Sequence, residues 1–122
     1  MGRARILIAD DEEGIRESLS LILGDAYDLD YAVNGEETLA KLQQGRYALM
    51  LLDIKMPKLD GLEVLKRLHQ QGNGTPVLML TAYQSVELAQ EAVRLGAKDY
   101  LPKPFERDQI LGAVQNAIRD AA

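Results

Sequence analysis

Five short apolar runs recur along the chain, and a stretch of helical period follows each one. Strict strand–helix alternation with short connections builds a parallel sheet with helices on both faces and right-handed crossovers. Arg5 to Ala9 is the first run, after which Ile15, Leu19, Ile22 and Leu23 form one helical stripe that Gly24 stops. The acidic residues opening that stretch suit the positive end of a helix dipole. Tyr27 to Val33 alternates large apolar with acidic residues, the pattern of an exposed edge strand. Asn34-Gly35 turns into a helix with Leu39 and Leu42 inward and Gly45 just past its end.

Ala48 to Leu52 is apolar throughout, as a central strand buried on both faces requires. Asp60 caps a third helix carrying Leu62, Leu65 and Leu68. Val77 to Leu80 is the fourth strand, with Pro76 at its mouth, where a missing N–H does little harm. The next helix is predicted to place Val86, Ala89, Ala92 and Val93 on one face and to stop at Gly96. Lys98 to Leu101 is the fifth strand, broken by Pro102-Lys103-Pro104, and the last helix turns Ile110, Val114, Ala117 and Ile118 inward. The edge-like second strand beside the wholly apolar third predicts the order 2-1-3-4-5. That is a flavodoxin-like (βα)5 three-layer sandwich.

At 122 residues, the expectation is one domain over residues 1–122 with a core of its own. The longest apolar run is too short to cross a bilayer, and Met1 to Arg5 begins no signal-peptide pattern. The absence of cysteine excludes disulfides and thiolate metal sites and fits a reducing, cytoplasmic setting. A net charge of −5 argues against nucleic-acid binding by this chain.

In open parallel sheets, ligands bind outside the carboxyl ends of the strands, at the switch point between strands 1 and 3. That edge collects Asp10 and Asp11 from strand 1, Asp53 from strand 3, Thr81 from strand 4 and Lys103 from the loop after strand 5. Singly, each has an ordinary explanation, since an Asp after a strand more often caps the next helix. Nothing in folding requires all five on one edge. Three carboxylates there repel and raise one another's pKa unless a cation intervenes, and Lys103 supplies only one positive charge. His69 lies in the third helix, away from this edge, so oxygens alone are offered, which points to Mg²⁺ or Mn²⁺. A metal beside carboxylate, hydroxyl and ammonium groups is the equipment of phosphoryl transfer. Asp53, alone on a central strand, is the natural nucleophile, and Asp10 and Asp11 then hold the metal.

Together, Asp10-Asp11, Asp53 with Met56-Pro57 and Asp60-Gly61, Thr81-Ala82 and Lys103-Pro104-Phe105 closely resemble the receiver domain of bacterial two-component response regulators. The resemblance runs from about Arg5 to Ile118. Leu-Leu-Asp-Ile-Lys-Met-Pro and Gly-Ala-Lys-Asp-Tyr-Leu-Pro-Lys-Pro-Phe look most like receivers of σ54-dependent activators or their single-domain relatives.

The resemblance implies that Asp53 accepts a phosphoryl group from a sensor histidine kinase or a small phosphodonor. It implies Mg²⁺ ligation by Asp11, Asp53 and the backbone carbonyl of Lys55, with Asp10 acting mainly through water. Lys103 would pair with phosphoryl oxygens, across a cis bond to Pro104. Thr81 would swing its hydroxyl onto the phosphoryl group, with Tyr100 turning inward behind it. The fourth helix, fifth strand and fifth helix would carry the signal to an output domain or protein, or into a phosphorylation-dependent homodimer. Such a domain catalyses only its own phosphorylation and dephosphorylation.

Lys55 and Tyr83 occupy the two variable flanking positions, and their bulk would restrict the attacking water. The phosphoryl group is therefore expected to outlive that of a Lys55→Ala, Tyr83→Ala double variant. Equal or slower hydrolysis in the double variant, followed by loss of phosphoprotein with time, contradicts this.

Rival chemistries fit poorly. The loop after strand 1 reads Asp-Asp-Glu-Glu rather than the glycine-rich turn that nucleotide or flavin phosphates need. A haloacid-dehalogenase-type phosphatase expects a second Asp where this chain has Lys55. The remaining alternative is a receiver-shaped dimerisation or scaffold module that is never phosphorylated.

Overall fold

The computed structural model describes residues 2–82 and 86–121. Five strands, β1 (Arg5–Ala9), β2 (Asp28–Ala32), β3 (Leu49–Asp53), β4 (Val77–Thr81) and β5 (Asp99–Pro102), alternate with five helices. These are α1 (Glu13–Leu23), α2 (Gly35–Gln44), α3 (Gly61–Gln70), α4 (Val86–Arg94) and α5 (Arg107–Ala121). All strand pairs are parallel, in the order β2-β1-β3-β4-β5. The fold is the flavodoxin-like one expected from the alternation.

Each strand sends alternate residues to opposite faces, so the sheet divides the interior in two. Leu7, Met50, Leu52 and Met79 join a core closed by α2, α3 and α4, through residues such as Leu42, Val64, Leu68 and Ala92. Ile6, Ile8, Leu49, Leu51 and Leu80 join a second core closed by Leu19 and Leu23 of α1 and Ile110 and Val114 of α5. Every residue of β3 is buried, as the unbroken run predicted. The boundary shifts by one residue, because Asp53 still pairs in register with Leu80 and belongs to the strand. Asn34 and Asp60 cap α2 and α3 by accepting from the backbone N–H of Glu37 and Glu63.

One expectation needs correction. In α4, Ala92 is buried, and Leu88 and Leu95 pack against the core, whereas Val86 and Val93 are 67% and 56% exposed. The segment carries two apolar stripes of helical spacing, 86/89/93 and 88/92/95, and the one with two leucines offers more area to bury.

The acidic residues of edge strand β2 are likewise accommodated. Asp30 accepts from Lys41 Nζ at 2.9 Å and from the Tyr47 hydroxyl at 2.7 Å, and Arg5 stacks over the Tyr47 ring. Burial opposes ionisation of Asp30, but these hydrogen bonds outweigh it and hold the carboxyl at about 2.

Candidate functional site

The register of the sheet brings the ends of β1, β3 and β4 to one level. Asp10 and Asp11 follow β1, Asp53 ends β3, Thr81 ends β4, and Lys103 follows β5. The backbone N–H of Lys103 donates to the Thr81 carbonyl at 2.7 Å, so the fifth connection is pinned to the fourth strand. The Lys103–Pro104 peptide is cis, as the family resemblance implied. Asp10, Asp53 and Thr81 are buried, while Asp11 and Lys55 are exposed. Asp11, Asp53, Lys55, Met56 and Lys103 line an open cleft of about 530 Å³.

One carboxylate oxygen from each of Asp10, Asp11 and Asp53 lies within 4.8 Å of the others. Lys103 Nζ sits among them, 2.7 Å from Asp10 Oδ2 and 3.5 Å from Asp53 Oδ1. Both carboxylate oxygens of Asp10 are hydrogen-bonded within the protein. Its second oxygen accepts from the Glu12 N–H at 2.9 Å, its backbone carbonyl from Arg16 Nη1 at 2.9 Å, and its own N–H donates to Ala32 at 3.0 Å. Of the two buried acids, Asp53 is the one farther from the ammonium, at 3.5 Å against 2.7 Å.

Electrostatics separates the two buried acids. Burial pushes the Asp53 carboxyl up to about 6, the charge on Asp10 pushes the same way, and Lys103 offsets only part of this. The repulsion expected from the sequence is therefore present but second to desolvation, which only the packing reveals. For Lys103, burial favours the neutral amine, yet the Asp10 hydrogen bond and the surrounding carboxylates hold the ammonium above its ordinary value. Three carboxylates, joined by Glu12 at 3.5 Å from the same ammonium, leave the edge with excess negative charge. The donors are oxygen throughout. This is the ligand chemistry of a hard divalent cation such as Mg²⁺.

The remaining predicted residues fall as follows. Thr81 is fully buried at the end of β4, and Tyr100 is half-buried on β5 against the core beneath α3 and α4. Tyr83 lies outside the described residues. Sequence reasoning missed Glu12 as a partner of Lys103 and Arg16 as the donor to the Asp10 carbonyl. Glu12 stood in the acidic run as a dipole-complementing residue, and the six-residue reach of Arg16 has no periodic signature.

The model of the response regulator receiver domain matches residues 6–115. The chain belongs to the response regulator receiver family. This receiver is 39% identical over 119 residues to the transcriptional regulatory protein DltR of Streptococcus agalactiae, a match covering 97% of the chain and 53% of that protein. It is 40% identical over 116 residues to the response regulator MprA of Mycolicibacterium vanbaalenii, covering 94% of the chain and 50% of that protein. The receiver thus spans about half the length of the curated relatives it matches. Among solved structures it superimposes on a Francisella response regulator receiver domain with a TM-score of 0.93 at 31% identity, covering 98% of this chain and all of that one. A CheY-like receiver from Methanospirillum hungatei gives 0.92 at 31% identity, covering 98% and 97%. As a receiver, the chain is a signalling domain of two-component systems. No described helix is long and apolar enough to cross a membrane.

Proposed function

We propose that this receiver, taken as one cytoplasmic domain over residues 1–122, accepts a phosphoryl group on Asp53 from the phosphohistidine of a sensor histidine kinase. The observation carrying this is the placement of Asp53 beside a cation-binding set of acids and a buried ammonium. Asp53 is buried and lines the cleft, one of its oxygens lies within 4.8 Å of one from each of Asp10 and Asp11, and Lys103 Nζ is 3.5 Å away. Asp11, Asp53 and the Lys55 backbone carbonyl would hold Mg²⁺, with Asp10 acting through water. When bound, the metal supplies charge neutralisation to the phosphoryl oxygens.

An Asp53 carboxylate oxygen forms the new bond to phosphorus as the phosphorus–nitrogen bond to the kinase histidine breaks, and the imidazole keeps the electron pair. Lys103, already cationic at the nucleophile, then shifts from carboxylate to phosphoryl oxygen without crossing the site. The new dianion draws in the Thr81 hydroxyl, and Tyr100 follows on the adjacent strand. A full reversal of the switch requires the phosphorylated state to favour the active form by on the order of 5 kcal/mol.

The surface formed by α4, β5 and α5 would pass the change to an output domain, a separate protein or a second copy. Its exposed Val86 and Val93 supply apolar contact area. Lys55, exposed on the cleft rim, and Tyr83 would slow the attacking water in hydrolysis of the aspartyl phosphate.

Incubation with a small acyl phosphate, followed by intact mass measurement, tests this reading. Wild type with Mg²⁺ should gain one phosphoryl group, wild type in EDTA almost none, and Asp53→Asn none. Undiminished labelling of Asp53→Asn, or no labelling of the wild type, removes Asp53 from the role.

A further inference from the structure

The β3–α3 loop, residues 54–60, is gripped between two glycines. Gly61, opening α3, donates its N–H to the Ile54 carbonyl at 2.6 Å, and a Cβ there would lie 2.1 Å from the Asp53 carbonyl oxygen. Gly35, opening α2, is buried against the far side of the loop. A Cβ on Gly35 would meet the Leu59 carbonyl oxygen at 2.1 Å and Leu59 Cβ at 2.5 Å, and its N–H reaches toward the Pro57 carbonyl at 3.5 Å. No side chain fits at either contact, because the nearest opposing atom in each case is a backbone carbonyl oxygen.

What this grip holds is a strained turn. The Leu59 N–H donates to the Pro57 carbonyl at 2.7 Å, across Lys58 at φ +68°. A three-residue turn with a positive central φ is the rare form of the γ-turn, and a non-glycine residue there persists only where its surroundings enforce it. Gly35 is packed on the last residue of that turn. Three residues earlier, the Ala32 carbonyl accepts from the Asp10 N–H at 3.0 Å. The short segment 32–35 therefore touches both acid-bearing loops, the one carrying Asp10 and the one that follows Asp53.

We infer that this entry to α2 is a positioning brace, in which Gly35 holds the β3–α3 loop in the conformation that presents the Lys55 carbonyl and Asp53 to the cation. The inference rests on the Mg²⁺-dependent reading above. An added methyl at Gly35 must displace the Leu59 backbone by roughly an ångström to reach ordinary contact, which releases the turn and moves the Lys55 carbonyl. Mg²⁺ demands near-ideal octahedral geometry, whereas Ca²⁺ tolerates irregular ligation. The brace therefore sets affinity for Mg²⁺ more than for Ca²⁺.

The test is titration with each metal alone, followed by amide chemical shifts, since the chain has no tryptophan. Gly35→Ala should weaken Mg²⁺ binding by roughly tenfold or more, the range seen when groups supporting metal ligands are removed. Ca²⁺ binding should change much less. Val114→Ala, which hollows the other core beneath α5, should destabilise the fold yet leave both affinities as in wild type. Equal affinities in Gly35→Ala and wild type overturn the brace, as does an equal loss for both metals.

Should Gly35→Ala fail to fold, wild type still decides. Saturating Mg²⁺ must slow hydrogen exchange at the Gly35 and Leu59 amides, and unchanged exchange overturns the brace. If wild type binds no Mg²⁺ at all, the phosphoacceptor reading fails. If wild type binds it and Gly35→Ala binds it equally, only the brace fails.

Discussion

Asp53→Asn is expected to melt about 10 °C above wild type at mildly alkaline pH in EDTA, a gain of about 2–3 kcal/mol. The Asp53 side chain is only 6% exposed, and its carboxyl is pushed from 3.8 to about 6 by burial and by Asp10. A carboxyl raised in the folded state favours folding when protonated, so that stability is fully present below about pH 4 and is lost as pH rises through about 6. Asparagine keeps the shape and never ionises. The two melting curves, measured against pH, should therefore coincide in acid and diverge across that window. Adding Mg²⁺ should raise wild type toward the variant, because a ligand that binds only the folded state stabilises it. Parallel curves at all pH values would show that Asp53 carries no buried-charge penalty.

Lys103→Met should act in the opposite direction, with a loss of about 3–5 kcal/mol in EDTA, the usual result of removing one partner from a buried pair. The Lys103 side chain is 8% exposed and that of Asp10 is 1% exposed, at 2.7 Å, so the carboxylate left behind has neither water nor a counter-ion. Adding Asp10→Asn to Lys103→Met should recover most of that loss. Urea unfolding of both single variants, the double variant and wild type closes the cycle. A double variant no more stable than Lys103→Met alone would mean that the lysine acts through packing of its chain rather than through charge.

Much of this site is legible in the sequence for a simple physical reason. Strand ends are marked by the abrupt change from apolar to polar residues, and parallel topology sends those ends to one edge. Asp10, Asp53, Thr81 and Lys103 are found this way, from Leu52 giving way to Asp53 or Leu80 to Thr81. Contacts set by the way loops fold over one another leave no such mark. Asn34-Gly35 reads as a turn, but the reason only glycine fits there is Leu59, 24 residues later. The rise in the Asp53 pKa is mainly desolvation, a property of how deeply β3 sits. The face that α4 buries was ambiguous because two apolar stripes competed, and the choice between them belongs to the whole core.

The sheet is also a partition. Neighbouring residues on β3, such as Leu51 and Leu52, belong to different interiors. Changes beneath α1 and α5 can thus accumulate independently of changes beneath α2, α3 and α4. At the β5 border the two interiors come round to one surface, with Tyr100 turned to one and Leu101 to the other. A lineage carrying this fold can therefore remodel the side that greets one partner while the opposite side keeps its inherited shape, with the row of acids fixed where the strands end.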